Sequence, residues 1–179
     1  MKTVQASLCV LEPLVVAHAR EMFSVLSDPA IYEFENKPPS SENWLTERYA
    51  RLERRAPSDA SQVWLNWVLR LPNSELSGYV QATLLRSGVA LIAYELASRH
   101  WRKGLGSSAV FAMLEELQSN YEVRLFVAVL KIANYRSMGL LIRLGFQPAS
   151  RQQVVEFGAE PDEAVMVKPS ADLAPENAT

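Results

Sequence analysis

Apolar and polar positions change rhythm several times along this chain, and each change marks an element. The apolar run over residues 7–11 predicts a strand, closed by Glu12-Pro13. Over 14–26 apolar residues recur at helical spacing, with Leu14, Ala19, Met22, Phe23, Val25 and Leu26 turned toward a core. Ser27-Asp28-Pro29 ends that helix, because proline disfavours helical geometry in the residue before it. A second helix starts in Pro38-Pro39-Ser40-Ser41-Glu42, with Ser40 or Ser41 as N-cap, and runs to about Arg55. Beyond the loop Ala56-Pro57-Ser58-Asp59 the period becomes extended, and 62–71, 78–86 and 89–97 are expected strands. The short Ser87-Gly88 turn suits an antiparallel hairpin between the last two. A helix over 102–120, a strand over 123–130 and a helix over 134–144 ended by Gly145 follow. Strands over 152–157 and 164–168 close the pattern.

That order predicts an α/β (α+β) fold with a mixed, mostly antiparallel central sheet of about seven strands flanked by about four helices. No linker or internal repeat divides it, so residues 1–168 are expected to form a single domain. Residues 169–179 are small, polar and proline-containing, and are expected to be a disordered tail.

Composition narrows the function classes. The 179 residues carry 18 basic and 20 acidic side chains, a net charge of -2 that gives no reason to expect nucleic acid. Arg48, Arg51, Arg54 and Arg55 gather on the second helix, but Glu47 and Glu53 interleave them as on a solvated face. The single cysteine, Cys9, excludes an internal disulfide and reads as a buried thiol in a strand. With two histidines far from it in sequence, no metal site is expected. Residues 1–7 lack an apolar signal core and no long apolar span occurs, so no membrane association and a cytoplasmic location are expected.

The chemistry concentrates after the strand 89–97. A strand, the basic glycine turn Trp101-Arg102-Lys103-Gly104-Leu105-Gly106-Ser107 and a helix together present unpaired N–H groups and a positive helix end to an anion, most naturally a phosphate. The turn lacks the third glycine of the dinucleotide fingerprint and the Gly-Lys-Ser/Thr ending of a P-loop.

This turn resembles the acetyl-CoA-binding motif of the GNAT N-acetyltransferase superfamily, Gln/Arg-x-x-Gly-x-Gly/Ala, with Trp101 where Gln or Arg is commonest. Trp101-Arg102-Lys103-Gly104 looks like the RimJ/RimL-like ribosomal-protein N-terminal acetyltransferase branch, as does Leu11-Glu12-Pro13-Leu14 followed by Leu26-Ser27-Asp28-Pro29. Downstream, Asn134-Tyr135-Arg136-Ser137 and Leu144-Gly145-Phe146 are similar to the family's Asn-x-x-Ser and Leu-Gly-Phe. The resemblance implies a GNAT-type sheet with acetyl-CoA as co-substrate. It implies donor binding by Leu96, Ala97, Trp101, Arg102, Lys103, Gly104, Leu105, Gly106, Ser107 and Asn134, where the strand carrying Leu96 and Ala97 parts from its neighbour. Ser137 inherits a place near the leaving thiolate. Many relatives carry a tyrosine where this chain has Leu141, so Ser137, water or no dedicated acid is left to serve the thiolate.

Glu95 is the only carboxylate between Glu75 and Glu115 and lies at a strand end beside the proposed thioester, so it is the candidate general base, directly or through water. The alternative for it is a solvent-facing strand-end glutamate. Tyr32, Phe34, Trp64 and Trp67 are candidate acceptor-binding residues. The two tryptophans are three apart and face opposite sides of a strand, so at least one is core. Glu33 or Glu35 could attract a cationic amine. The expected partners are acetyl-CoA and an amine, either a protein N-terminus or a small molecule, with the chain a monomer or homodimer. The competing reading is a CoA-binding regulatory protein without catalysis, motivated by Leu141.

Overall fold

The computed structural model describes residues 1–34 and 36–170. Eight strands form one sheet in the order β1-β2-β3-β4-β5-β6-β8-β7. They are β1 (Val4–Gln5), β2 (Val10–Pro13), β3 (Gln62–Arg70), β4 (Leu76–Leu85), β5 (Val89–Leu96), β6 (Leu125–Lys131), β7 (Gln147–Pro148) and β8 (Glu163–Pro169). Every neighbouring pair is antiparallel except β5 and β6, which run parallel. The helices are α1 (Ala19–Leu26), α2 (Glu42–Leu52), α3 (Leu105–Asn120), α4 (Tyr135–Arg143) and α5 (Arg151–Glu156).

Strand alternation sorts the core into two faces. Leu65, Trp67, Leu69, Val80, Ala90, Ile92 and Leu96 pack with α3 and α4 on one side. Val68, Leu76 and Ala97 pack with α1 and α2 on the other. Farther along the sheet Val127, Val165 and Val167 meet Val154 and Phe157 of the α5 region. Burial of these side chains is the main stabilising term of such a fold.

Several expected boundaries move. The first strand begins at Val10 rather than at residue 7, with the short β1 paired to it, and the expected helix over 14–26 opens as a 3-10 turn, Val16–His18, before α1. Ser41 caps α2, its hydroxyl accepting from Trp44 N–H at 3.1 Å. The expected strand over 152–157 is instead α5. There the Ser150 hydroxyl accepts from Gln153 N–H and the Gln153 side chain accepts from Ser150 N–H. This reciprocal cap starts a helix and outweighs the β-branched Val154-Val155 pair that suggested a strand. At the end of the chain β8 runs through Pro169, and Ser170 N–H donates to the Arg124 carbonyl at 3.0 Å. The rest of the expected tail, 171–179, lies outside the described residues.

Candidate active site

The site begins where two parallel strands part. β5 and β6 are paired only over Val89–Leu91 and Leu125–Val127, while β5 continues to Leu96 and β6 to Lys131. Beyond Leu91 the β6-facing edge of β5 therefore has no ladder partner, and the backbone groups there need another. On its other edge β6 is paired with β8 along its whole length. A cleft of about 510 Å³ occupies the opening and is lined from both faces of the sheet.

On one face stands the start of α3. Gly104 is its N-cap with φ +80°, offers no side-chain cap, and no acidic residue lies in the first turn. The first N–H groups and the positive end of a 16-residue helix are thus left for something else. Arg102 also has a positive φ of 58°, and left-handed residues in such a turn gather N–H groups into an anion-binding concavity. Gly106 packs against α4 so closely that a Cβ on it would lie 2.9 Å from Leu140 Cδ1. Trp101 holds the turn to β5, its indole N–H donating to the Leu96 carbonyl at 2.9 Å. The turn is anchored from behind by Asp28, which accepts from Ser98 N–H at 2.8 Å and Ala30 N–H at 3.1 Å. Burial opposes ionisation of Asp28, but these hydrogen bonds outweigh it and hold the carboxyl below its ordinary pKa.

A family model described as an acetyltransferase (GNAT) domain matches residues 9–147, most of the chain. The chain belongs to the GNAT acetyltransferases. It is an N-acetyltransferase of the family that uses acetyl-CoA to acetylate amines. Solved structures share the fold at low identity. A ribosomal L7/L12 α-N-protein acetyltransferase (RimL) in complex with coenzyme A superposes with a TM-score of 0.79 at 13% identity, covering 93% of this chain and 97% of that one. A ribosomal-protein-S5-alanine acetyltransferase from Vibrio fischeri gives 0.78 at 16%, covering 97% and 99%. A chimeric spermidine N-acetyltransferase from Vibrio cholerae gives 0.75 at 19%, covering 93% and 98%. No curated protein matches the sequence.

In this GNAT chain Leu96, Trp101, Arg102, Gly104, Leu105, Gly106, Ser107 and Asn134 all line the cleft. Ala97 is fully buried in the core beside α1 and α2, and Lys103 donates to the Arg99 carbonyl, so neither is among the lining residues. Asn134 caps α4, its side chain accepting from Ser137 N–H at 3.1 Å. Ser137 lines the cleft, and its carbonyl accepts from the Tyr94 hydroxyl at 3.3 Å. Burial pushes that phenol up to about 12.

Glu95 lines the cleft from β5, directly opposite Tyr79 in the β4 register and hydrogen-bonded with it. Tyr32 and Phe34 line the cleft, whereas Trp64 and Trp67 do not. Trp67 is fully buried with its indole N–H on the Lys2 carbonyl, which makes it the core tryptophan of the pair. Glu33 is paired with Arg136, and Glu35 lies outside the described residues.

Several lining residues went unnoticed in the sequence. Arg136 lies 4.3 Å from the centre of the Trp101 ring and 5.0 Å from that of Phe34, so α4, the glycine turn and the 33–34 loop meet at one guanidinium. Its place inside Asn134-Tyr135-Arg136-Ser137 was the available signal. Arg48, Tyr49, Asn66, Tyr79 and Gln81 line the α1–α2 side, and no motif marks them. Among the described residues no cluster of His, Cys, Asp or Glu suited to a metal ion occurs, and no helix is long and apolar enough to cross a membrane.

Proposed function

We propose that this GNAT enzyme acetylates the primary amine of a protein N-terminus or a small molecule by direct transfer within a ternary complex, with Glu95 as general base. The supporting observation is the opening between β5 and β6, which sets the uncapped start of α3 and the Glu95 carboxylate on one cleft from opposite faces of the sheet.

Acetyl-CoA supplies the acetyl group as an activated thioester. N–H groups of the turn over 102–107 hold its phosphates, and Gly106 lets α3 start close against Leu140 of α4. The free edge of β5 binds the amides of the pantetheine arm as it would an added strand, alongside Asn134. The same edge polarises the thioester carbonyl. Glu95 takes a proton from the incoming ammonium, directly or through water, because an α-amine with a pKa of about 8 is largely protonated at neutral pH. The Ser137 hydroxyl serves the departing sulfur, in place of the tyrosine absent at Leu141. The turn Trp101-Arg102-Lys103-Gly104 favours a place near the RimJ/RimL-like branch, hence an N-terminal α-amine.

Glu95→Gln tests the role of the base. Thiol release from acetyl-CoA with a good acceptor is expected to fall in kcat by about 10²-fold or more, the usual contribution of a general base. The KM for acetyl-CoA should stay near the wild-type value. Wild-type turnover in the variant would refute the assignment.

A further inference from the structure

The cleft as a whole carries an unusual charge balance. Its lining includes Lys37, Arg48, Arg102, Arg136 and Arg143, against Glu95 as the one carboxylate among the described lining residues. Arg102 belongs to the phosphate turn, and Arg136 is paired with Glu33. Arg48 sits on α2, on the far side of the cleft from that turn, and forms no ion pair with any described carboxylate. The Trp44 ring, one helical turn earlier, holds its guanidinium 5.6 Å from the ring centre. Beside it Tyr49 is 2% exposed, lines the cleft, and its hydroxyl has no hydrogen-bond partner among the described residues. A buried hydroxyl without a partner is costly and marks a place where a ligand atom belongs.

Resting on the acetyltransferase reading above, we infer that the acceptor is an amine that also carries an anion, its ammonium directed to Glu95 and its carboxylate to Arg48 and the Tyr49 hydroxyl. Both charges act on the same phenols. Burial raises the pKa of Tyr49 and Tyr79, the Glu95 carboxylate raises both further, and Arg48 draws both back. Both hydroxyls therefore stay protonated and donate, as an anionic or carbonyl oxygen requires. A polyamine or another polycation would set its second charge against Arg48 and Lys37, with no described carboxylate there to receive it.

The test is thiol release from acetyl-CoA by the full chain across an acceptor panel. The panel holds peptides of one length with Ser at the N-terminus followed by Asp-Glu, Ala-Ala or Lys-Lys, together with free aspartate, free glutamate and spermidine. The anionic acceptors are expected to exceed the Ala-Ala peptide in kcat/KM by about tenfold or more, the size of a hydrogen bond to a charged group. Preference for the Asp-Glu peptide points to a protein N-terminus, and preference for a free acidic amino acid to a metabolite. Arg48→Gln should bring the ratio of anionic to neutral peptide near one. That ratio is unaffected by any loss of folded enzyme, since both acceptors meet the same protein. A preference for spermidine or the Lys-Lys peptide, or a ratio unchanged in the variant, overturns the inference and leaves the acetyltransferase reading standing. Failure of every amine while acetyl-CoA binds overturns both.

Discussion

Gly104 and Gly106 stand two residues apart and are needed for different reasons. At Gly104 the obstacle is conformational: a φ of +80° strains any L side chain although the space around it is open, Leu8 Cδ1 lying 3.5 Å from a hypothetical Cβ. At Gly106 the backbone is ordinary helix and the obstacle is Leu140. The glycine spacing was legible in the sequence, but only the structure separates the two causes. Cys9 is the reverse case, legible as a small buried thiol although it lies just before β2 rather than in a strand. Burial raises it to about 11 from an ordinary 9.0, so the neutral thiol is the form the fold prefers. Its contribution to stability is complete below 9.0 and is lost as pH rises toward about 11. At pH 8 the native protein should resist a thiol reagent that modifies the urea-unfolded chain quickly; modification of the native state at a free-thiol rate would show that Cys9 is not held in the core.

Among the elements, most follow from the rhythm of apolar positions together with their caps and turns, and α5 does not. The β4–β5 hairpin, α2 and α3 follow from periodicity and punctuation, although α3 begins at Leu105 rather than at residue 102. In α5 the Val154-Val155-Glu156-Phe157 pattern carries a strand's rhythm, yet Ser150 and Gln153 close a capping box and Val155 is left 81% exposed. Ser150→Ala should therefore lower stability toward urea by about 1 kcal/mol. Because α5 does not line the cleft, acetyl-transfer kinetics should be unchanged. No loss of stability would mean that packing of Val154 and Phe157 alone holds the helix. The parting of β5 from β6 was expected from family resemblance rather than from residues. Its physical origin is non-local: the β5–β6 ladder ends at Leu91 and Val127 although both strands run on, and no sequence rhythm states where a parallel partner stops.

Across the whole molecule, the cleft is assembled from segments far apart in sequence and is held together by polar ties between them. Asp28 joins the loop after α1 to the entrance of the glycine turn, while Arg136 and Glu33 join α4 to the same loop across the opening. These ties explain why the donor side, a contiguous turn, was visible in the sequence whereas the acceptor side was not. Arg48 reads as part of a solvated helix face until the sheet behind it is known. The most direct test of the donor site is calorimetric titration of acetyl-CoA into the wild type and into Gly106→Val, with far-UV circular dichroism confirming the fold of each. Saturable one-to-one binding by the wild type, weakened about tenfold or more in the folded variant, is the expected result. A wild-type chain that binds no acetyl-CoA, or a variant that binds it equally well, would contradict a donor site at the start of α3.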